Sequence, residues 1–231
     1  MVKKNIFNKD YFEEGPYGKQ DIHIIRRNYK ILLDNAKTAI SLPNNPERIL
    51  DFGCAFGAGT TFLSEQFQKA HIVGVDISEY ARKRAQSNYE RENINYYCLD
   101  LCRSDHLNVL KEKYSEFDLI FTRDTLEHIT LNKQEEVLAT LAMLLKENGM
   151  LIAQTPNKLN PILHKDKTHI GLRSAESWKT LFQEIFREVK IFTKQYLPII
   201  WQFRKNMELF EFTLPVFGCN IYIFCKGRKS L

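Results

Sequence analysis

The sequence predicts an α/β chain built on a doubly wound, mostly parallel sheet, and three observations predict it. Residues 48–59 read RILDFGCAFGAG, a short apolar run closed by an acid and broken into a turn with Gly53, Gly57 and Gly59. Nineteen residues past Gly57, a second apolar run, Ile72-Val73-Gly74-Val75, closes on Asp76. Around this pair, short apolar runs alternate with stretches of helical periodicity, which calls for parallel crossovers. The turn and its acids follow the pattern of a nucleotide-binding βαβ unit. One strand delivers a tight glycine turn, a helix opens behind it, and the next strand ends in a carboxylate suited to ribose hydroxyls.

In chain order, apolar residues at Ile25, Tyr29, Leu32, Leu33, Ala36 and Ile40 share one face of a helix over 20–41, stopped by Pro43 and Pro46. The first strand, 48–53, enters the glycine turn, and helix 59–69 carries Phe62, Leu63 and Phe67. The second strand covers 71–77, and Ser78 caps a helix over 79–92. A third strand at 94–100 precedes a short helical stretch near 104–113, and a fourth strand covers 117–122. The clearest helix is 132–147, with Val137, Leu138, Leu141, Leu144 and Leu145 on one face; Asn148-Gly149 predicts its end before a fifth strand at 150–154. Residues 155–173 read as a polar loop with His164 and His169. Ser174 then caps a helix whose Trp178, Leu181, Phe182 and Ile185 face inward. Strands at 189–193 and 220–225 flank 195–217, a stretch so rich in Ile, Phe and Trp that it demands burial.

The turn narrows the ligand. A dinucleotide fingerprint needs Gly-x-Gly-x-x-Gly, but Ala55 stands at its second glycine and the last interval is wrong. A P-loop needs a Lys before Ser or Thr, and Gly59-Thr60-Thr61 has none. No basic residue lies between Arg48 and Lys69, so a polyphosphate would meet only backbone N–H groups. The turn suits a ligand with little negative charge.

Composition sets the outer bounds. A chain of 231 residues, 44% hydrophobic and 26% charged, fits one α/β domain with an elaborated end. Its five cysteines are odd in number and sit mostly in apolar runs, as reduced thiols of a cytoplasmic protein do. Cys98 and Cys102 lack the second pair that a zinc site would use, and no metal is expected. No signal-like apolar segment opens the chain and no run of eighteen apolar residues occurs, so neither export nor a membrane span is expected. The net charge of +5 is scattered, without the basic stripe and interleaved aromatics of a nucleic-acid reader.

Five stations in order carry a family resemblance: LDFGCAFG at 50–57, VGVDIS at 73–78, YYCLDL at 96–101, FDLIFTRDTLEHI at 117–129 and GMLIAQTPN at 149–157. Each is weak alone, but their order and spacing over residues 45–160 resemble the class I S-adenosylmethionine-dependent methyltransferases. The Leu-Glu-His-Ile stretch is similar to the small-molecule branch, such as the ubiquinone-biosynthesis O-methyltransferases. The resemblance implies a seven-stranded Rossmann-like sheet whose last strand inserts antiparallel beside the fifth. It implies S-adenosyl-L-methionine as cofactor, held at the glycine turn by Gly53, Cys54, Ala55 and Gly57. Asp51 would address the methionine ammonium, Asp76 the ribose diol and Asp100 the adenine amino group, with Ile77 and Leu101 around the ring and Arg123 along the donor. Ala55 departs from the usual glycine; if its φ is positive, the Cβ costs about 1 kcal/mol or slightly more.

Other readings stand beside these. Asp51 can cap the turn, Asp76 can serve the next helix, and Asp100 can be a surface turn acid. His128 is either a general base or a residue packing across the donor pocket, with Asp124 and Glu127 weaker candidates and Glu127 facing helix packing. His164 and His169 are candidate acceptor ligands, His164 otherwise a solvated loop histidine, and His164, Asp166 and His169 also have metal-compatible spacing. Tyr11 to Gly18 reads as an aromatic lid or as packing on the sheet edge. The expected organisation is one methyltransferase domain over 1–231, with a lid and helix in 1–45, a donor core in 46–157 and acceptor-side elements in 158–231. The expected acceptor is a small molecule methylated at oxygen. The alternatives are an RNA or protein acceptor, or a non-catalytic donor-binding domain. The apolar 195–217 stretch is expected to close over the acceptor and to meet a second copy of the chain.

Overall fold

A computed structural model describes residues 6–15, 21–100, 102–159, 166–194 and 220–229. Leu101, His164, Pro16 to Gly18 and the apolar stretch 195–217 lie outside the described residues.

A short helix α1 (Lys9–Glu13) and a long helix α2 (Ile22–Ala39) precede the alternating region. There follow β1 (Arg48–Phe52), α3 (Ala58–Gln66), β2 (His71–Asp76), α4 (Glu79–Asn88), β3 (Ile94–Cys98), α5 (Ser104–Tyr114) and β4 (Phe117–Arg123). A single 3-10 turn, Leu126–His128, leads into α6 (Leu131–Leu144) and β5 (Leu145–Pro156). The chain ends in α7 (Ala175–Ile185), β6 (Phe186–Lys194) and β7 (Asn220–Arg228). The seven strands form one sheet in the order β3-β2-β1-β4-β5-β7-β6. β1 to β5 run parallel, and β7 inserts antiparallel between β5 and β6.

Alternation along the strands fills both faces. Ile49, Ile72, Leu119, Phe121 and Ile152 pack against Leu32 and Leu33 of α2 and Leu63 of α3. Leu50, Val73, Ile120 and Leu151 pack the other way, against Leu110 of α5, Leu138 and Leu141 of α6, and Trp178 and Phe182 of α7. Each fully buried aliphatic side chain stabilises this sandwich by roughly 1.5–3 kcal/mol, and Ser78 caps α4 as its sequence position predicts.

The element boundaries differ in one instructive place. The helix predicted over 132–147 ends at Leu144, and Asn148-Gly149 falls inside β5 rather than at a helix cap. Leu145 is already paired with Phe117 of β4, and the register then slips so that Leu119 faces Met150. Lys146 anchors the slipped segment by an ion pair at 2.7 Å to Asp118 and another at 3.3 Å to Glu47. Sheet pairing therefore overrides a helical periodicity that continues through Leu145. β6 likewise starts at Phe186 rather than 189, because α7 passes directly into the strand, where Phe186 pairs with Arg228.

Candidate active site

The strand order reverses direction between β1 and β4, and an open α/β sheet offers a crevice beyond the C-terminal ends of its strands at such a point. A cavity of about 560 Å³ lies there, within the usual size of a small-molecule site. Its wall divides into a glycine-turn side, a roof and a polar far side.

The turn after β1 is fixed by the end of β2. Gly53 and Cys54 donate their N–H groups to the Val75 carbonyl at 2.8 and 3.1 Å. Gly53 has φ of 81°, and a Cβ there would lie 2.0 Å from the Thr125 hydroxyl oxygen, so only glycine lets the β4 loop approach. Gly57, at φ 83°, opens α3. Ala55 does take the left-handed conformation, φ 47°, and its N–H donates to the Asp76 Oδ2 at 2.9 Å. The other carboxylate oxygen of Asp76 accepts the Ser78 N–H at 2.9 Å. Asp76 is 8% exposed, and burial raises its carboxyl to about 6 against those opposing backbone hydrogen bonds. Ile77, Leu99 and Asp100 continue the wall, and Asp100 Oδ1 accepts the Cys102 N–H at 3.0 Å.

Asp51, near the end of β1, does not itself line the cavity. It is fully buried behind the turn, with Tyr29 donating its hydroxyl to one oxygen at 2.8 Å and Thr60 donating to the other at 2.6 Å. Burial raises it to about 6, partly offset by those two bonds. Asp51 and Gly57 stand behind the cavity wall, whereas Gly53, Cys54, Ala55, Asp76, Ile77, Asp100 and Arg123 line it. Tyr29 reaches the wall and connects Asp51 to it.

The N-terminal aromatics form the roof. Asn8 caps α1 by accepting the Tyr11 N–H, and Phe7, Tyr11 and Phe12 all line the cavity. Phe12, 3% exposed, packs against Phe56 at 5.1 Å between ring centroids, and the Tyr80 hydroxyl donates to Glu13. This segment lies over the glycine-turn loop and α4, not along the sheet edge.

The far side gathers ionisable groups from two segments. Arg123 pairs with Asp124 at 2.7 Å, and Asp124 has φ 51° while its N–H donates to the Gln154 carbonyl. Glu127, His128 and His169 all line the cavity, with Asp166 beside them. His128 places Nδ1 3.1 Å from the Thr168 carbonyl oxygen, which only accepts, so Nδ1 carries the proton and Nε2 keeps its lone pair. Burial, then the neighbouring His169, holds the His128 pKa below its ordinary value, so the ring is neutral at neutral pH. The two imidazole rings are 5.0 Å apart. Glu127 is completely buried, and burial followed by Asp124 pushes its carboxyl well above the ordinary range.

The fold thus brings the predicted His128 and His169 together across 40 residues of chain. Glu127, in the sequence only a weaker base candidate than His128, and Tyr11, there part of an aromatic lid, both line the cavity. The available signal for Glu127 was a lone acid between Leu126 and Ile129, which periodicity assigns to neither a solvated nor a packed face.

Residues 49–149 match the protein-family profile described as a methyltransferase domain. Malonyl-[acyl-carrier protein] O-methyltransferase of Bacillus anthracis is 33% identical over 155 residues, covering 67% of this chain; the chain spans 54% of that relative's length. The crystal structure of a SAM dependent methyltransferase from Archaeoglobus fulgidus superposes with TM-score 0.67 at 18% identity, covering 94% of this chain and 97% of the other. Plantazolicin methyltransferase BpumL, solved with a pentazolic desmethylPZN analog and SAH, gives TM-score 0.63 at 16% identity over 95% of this chain and 89% of its own. With the strand order, the glycine turn and the matched profile in agreement, residues 49–149 form a methyltransferase domain, set in the class I S-adenosylmethionine-dependent methyltransferase fold.

Proposed function

We propose that this protein transfers the methyl group of S-adenosylmethionine to an oxygen of a small-molecule acceptor. The carrying observation is the division of one cavity into a glycine-turn wall that suits a nucleoside with little negative charge and a far wall bearing two imidazoles. The donor fits the near wall on its own terms. Asp76 already holds the turn with one lone pair on each oxygen and has further acceptor capacity for a ribose diol. Ile77 and Leu99 offer apolar surface beside Asp100 for an adenine ring. That BpumL was solved with SAH, in a fold of this kind, supports the same assignment.

The donor supplies, when bound, a methyl group on a sulfonium sulfur, open to in-line attack. The chain's own part is to orient and to dry the site, and proximity supplies much of the acceleration. Phe7, Tyr11 and Phe12 exclude water from above, and the buried Asp51 supports the turn and faces the methionine end through Tyr29. A hydroxyl acceptor is poorly acidic and needs its proton taken. His128, neutral with its Nε2 lone pair free of the Thr168 bond, and His169 are the groups placed for that task. The name of the Bacillus anthracis relative, an O-methyltransferase, supports oxygen as the methylated atom.

The whole chain is read as one methyltransferase unit, with 158–231 assigned to the acceptor side; 195–217 lie outside the described residues. Among the described residues, Cys54, Cys102 and Cys225 are free thiols, which suits the reducing cytoplasm, and no helix is long and apolar enough to cross a membrane. The test is label transfer from methyl-tritiated donor, offered separately to hydroxylated small molecules, RNA and a protein extract. Label in the small-molecule fraction, in an alkali-stable ether or an alkali-labile ester, is the expected result. Label only in RNA or protein, or none with any acceptor, would overturn the assignment.

A further inference from the structure

We infer that Glu127, His128 and His169 bind a divalent first-row transition cation, zinc foremost, on the acceptor side of the cavity. The site stands on its own geometry, while its role in holding an acceptor oxygen rests on the reaction proposed above; His128 and His169 act as ligands when the ion is bound and as proton acceptors only in the ion-free protein. Sequence spacing had set His164, Asp166 and His169 together; the fold instead brings Glu127 and His128 of the 3-10 turn against His169 of the later loop.

The donor atoms come first. One ligand atom from each of the three residues lies within 4.8 Å of the others. Ligands around tetrahedral zinc, with bonds of about 2.0–2.1 Å, stand roughly 3.3 Å apart, so the trio closes on an ion by small side-chain rotations. Two imidazoles and one carboxylate are the set that catalytic zinc and other first-row divalent ions take, and calcium or magnesium would prefer an all-oxygen shell.

The surrounding bonds are those of a ligand set. A metal-binding histidine characteristically donates its other ring N–H to a carbonyl or carboxylate, and His128 does so to the Thr168 carbonyl at 3.1 Å. Glu127 accepts the Thr155 hydroxyl on Oε2 at 3.0 Å, while its Oε1, fully buried, has no hydrogen-bond partner. A buried carboxylate oxygen left unpaired is costly, and it points toward His169, whose Nε2 is 4.0 Å away. A cation between them would satisfy that oxygen. Asp166, with Oδ2 3.6 Å from the same nitrogen, lies where it can support or complete the shell.

The two segments are also locked together. Gln134 of α6, fully buried, aims its amide NH2 at the carbonyls of Leu126, Ile129 and Gly171 at 3.0, 3.2 and 2.6 Å. Gly171 returns its N–H to the Glu127 carbonyl at 2.8 Å. The ligands therefore sit on a braced frame, and all three face the cavity, which leaves an ion an open position toward the acceptor.

The test uses full-length protein stripped with a chelator and titrated calorimetrically with zinc chloride, then with S-adenosylhomocysteine in a parallel sample. The expected result is saturable binding of about one ion per chain, weakened about tenfold or more in both Glu127→Gln and His169→Ala while S-adenosylhomocysteine binding and the melting profile are retained. Cobalt(II) should develop visible absorption on the wild-type protein and lose it in His169→Ala. No saturable zinc binding while S-adenosylhomocysteine still binds, or zinc binding unchanged in both variants, would overturn the site. Zinc binding without S-adenosylhomocysteine binding would uphold the site and overturn the methyltransferase reading on which its role rests.

Discussion

Asp76 does two things with one carboxylate: it fixes the glycine turn through the Ala55 N–H and lines the cavity, where the proposed donor would meet it. The left-handed Ala55 costs about 1–2 kcal/mol, and a charge-assisted bond to Asp76 offsets it. Since burial raises Asp76 to about 6, the ligand-free carboxyl protonates near pH 6 rather than near 4. Only the ionised form offers both oxygens as acceptors. Donor affinity should therefore hold above pH 7 and weaken as pH falls through 6, by up to about tenfold per unit for one linked proton. Asp76→Asn should bind weakly and with a flattened profile, measured by calorimetry from pH 5 to 8. His128 makes a separate prediction: His128→Ala should lower methyl transfer by about 10²–10⁴-fold while donor affinity stays nearly intact. A matching loss of donor affinity would assign the ring to packing. At this scale the place of Asp76 and Asp100 on the cavity wall was legible because each closes an apolar run. The buried placement of Asp51 was not, since it depends on Tyr29 and Thr60 from two helices that no local pattern connects to it.

Among the elements, α6 matters to the site more than its regular apolar face suggests. Gln134 interrupts that face with a buried amide that ties the Leu126–His128 turn to the loop carrying His169. Gln134→Leu takes that donor from the Ile129 and Gly171 carbonyls, each unsatisfied group costing about 1–3 kcal/mol, while the Leu126 carbonyl keeps the Ile129 N–H. Stability should fall by roughly 3 kcal/mol or more in urea titration, and the Gly171 amide should exchange faster with deuterium. Unchanged exchange at Gly171 would mean that the two segments are held by other contacts. The roof formed by α1 makes the complementary case. Phe12→Ala removes a ring packed on Phe56 and should cost about 3 kcal/mol locally. The consequence is donor release accelerated tenfold or more in stopped-flow displacement, with little change in melting because the main sheet core is untouched. The packing of this segment was legible as an excess of aromatics in a stretch too short to fold alone; its place on the cavity wall was one of two readings. The early end of α6 was hidden, because a tertiary pairing, Leu145 with Phe117, decides it.

For the molecule as a whole, the alternation of strands and helices and the glycine turn were enough to predict the parallel core. The antiparallel β7 came only with the family resemblance, since nothing in Asn220–Arg228 by itself distinguishes a parallel from an antiparallel partner. The far wall of the cavity was the least legible part. Its residues come from the turn after β4 and a loop 40 residues later, and only the completed sheet places them on one crevice. The central claim is that this crevice is a methyl-donor site organised by Asp76. Calorimetric titration of wild-type and Asp76→Ala protein with S-adenosylhomocysteine tests it most directly. The ribose bonds lost are charge-assisted and worth roughly 1.5–3 kcal/mol each. The account predicts saturable binding to the wild type at about one ligand per chain and at least tenfold weaker binding to the variant, with NAD giving no heat. Absent binding to the wild type, or equal binding to the variant, would contradict it.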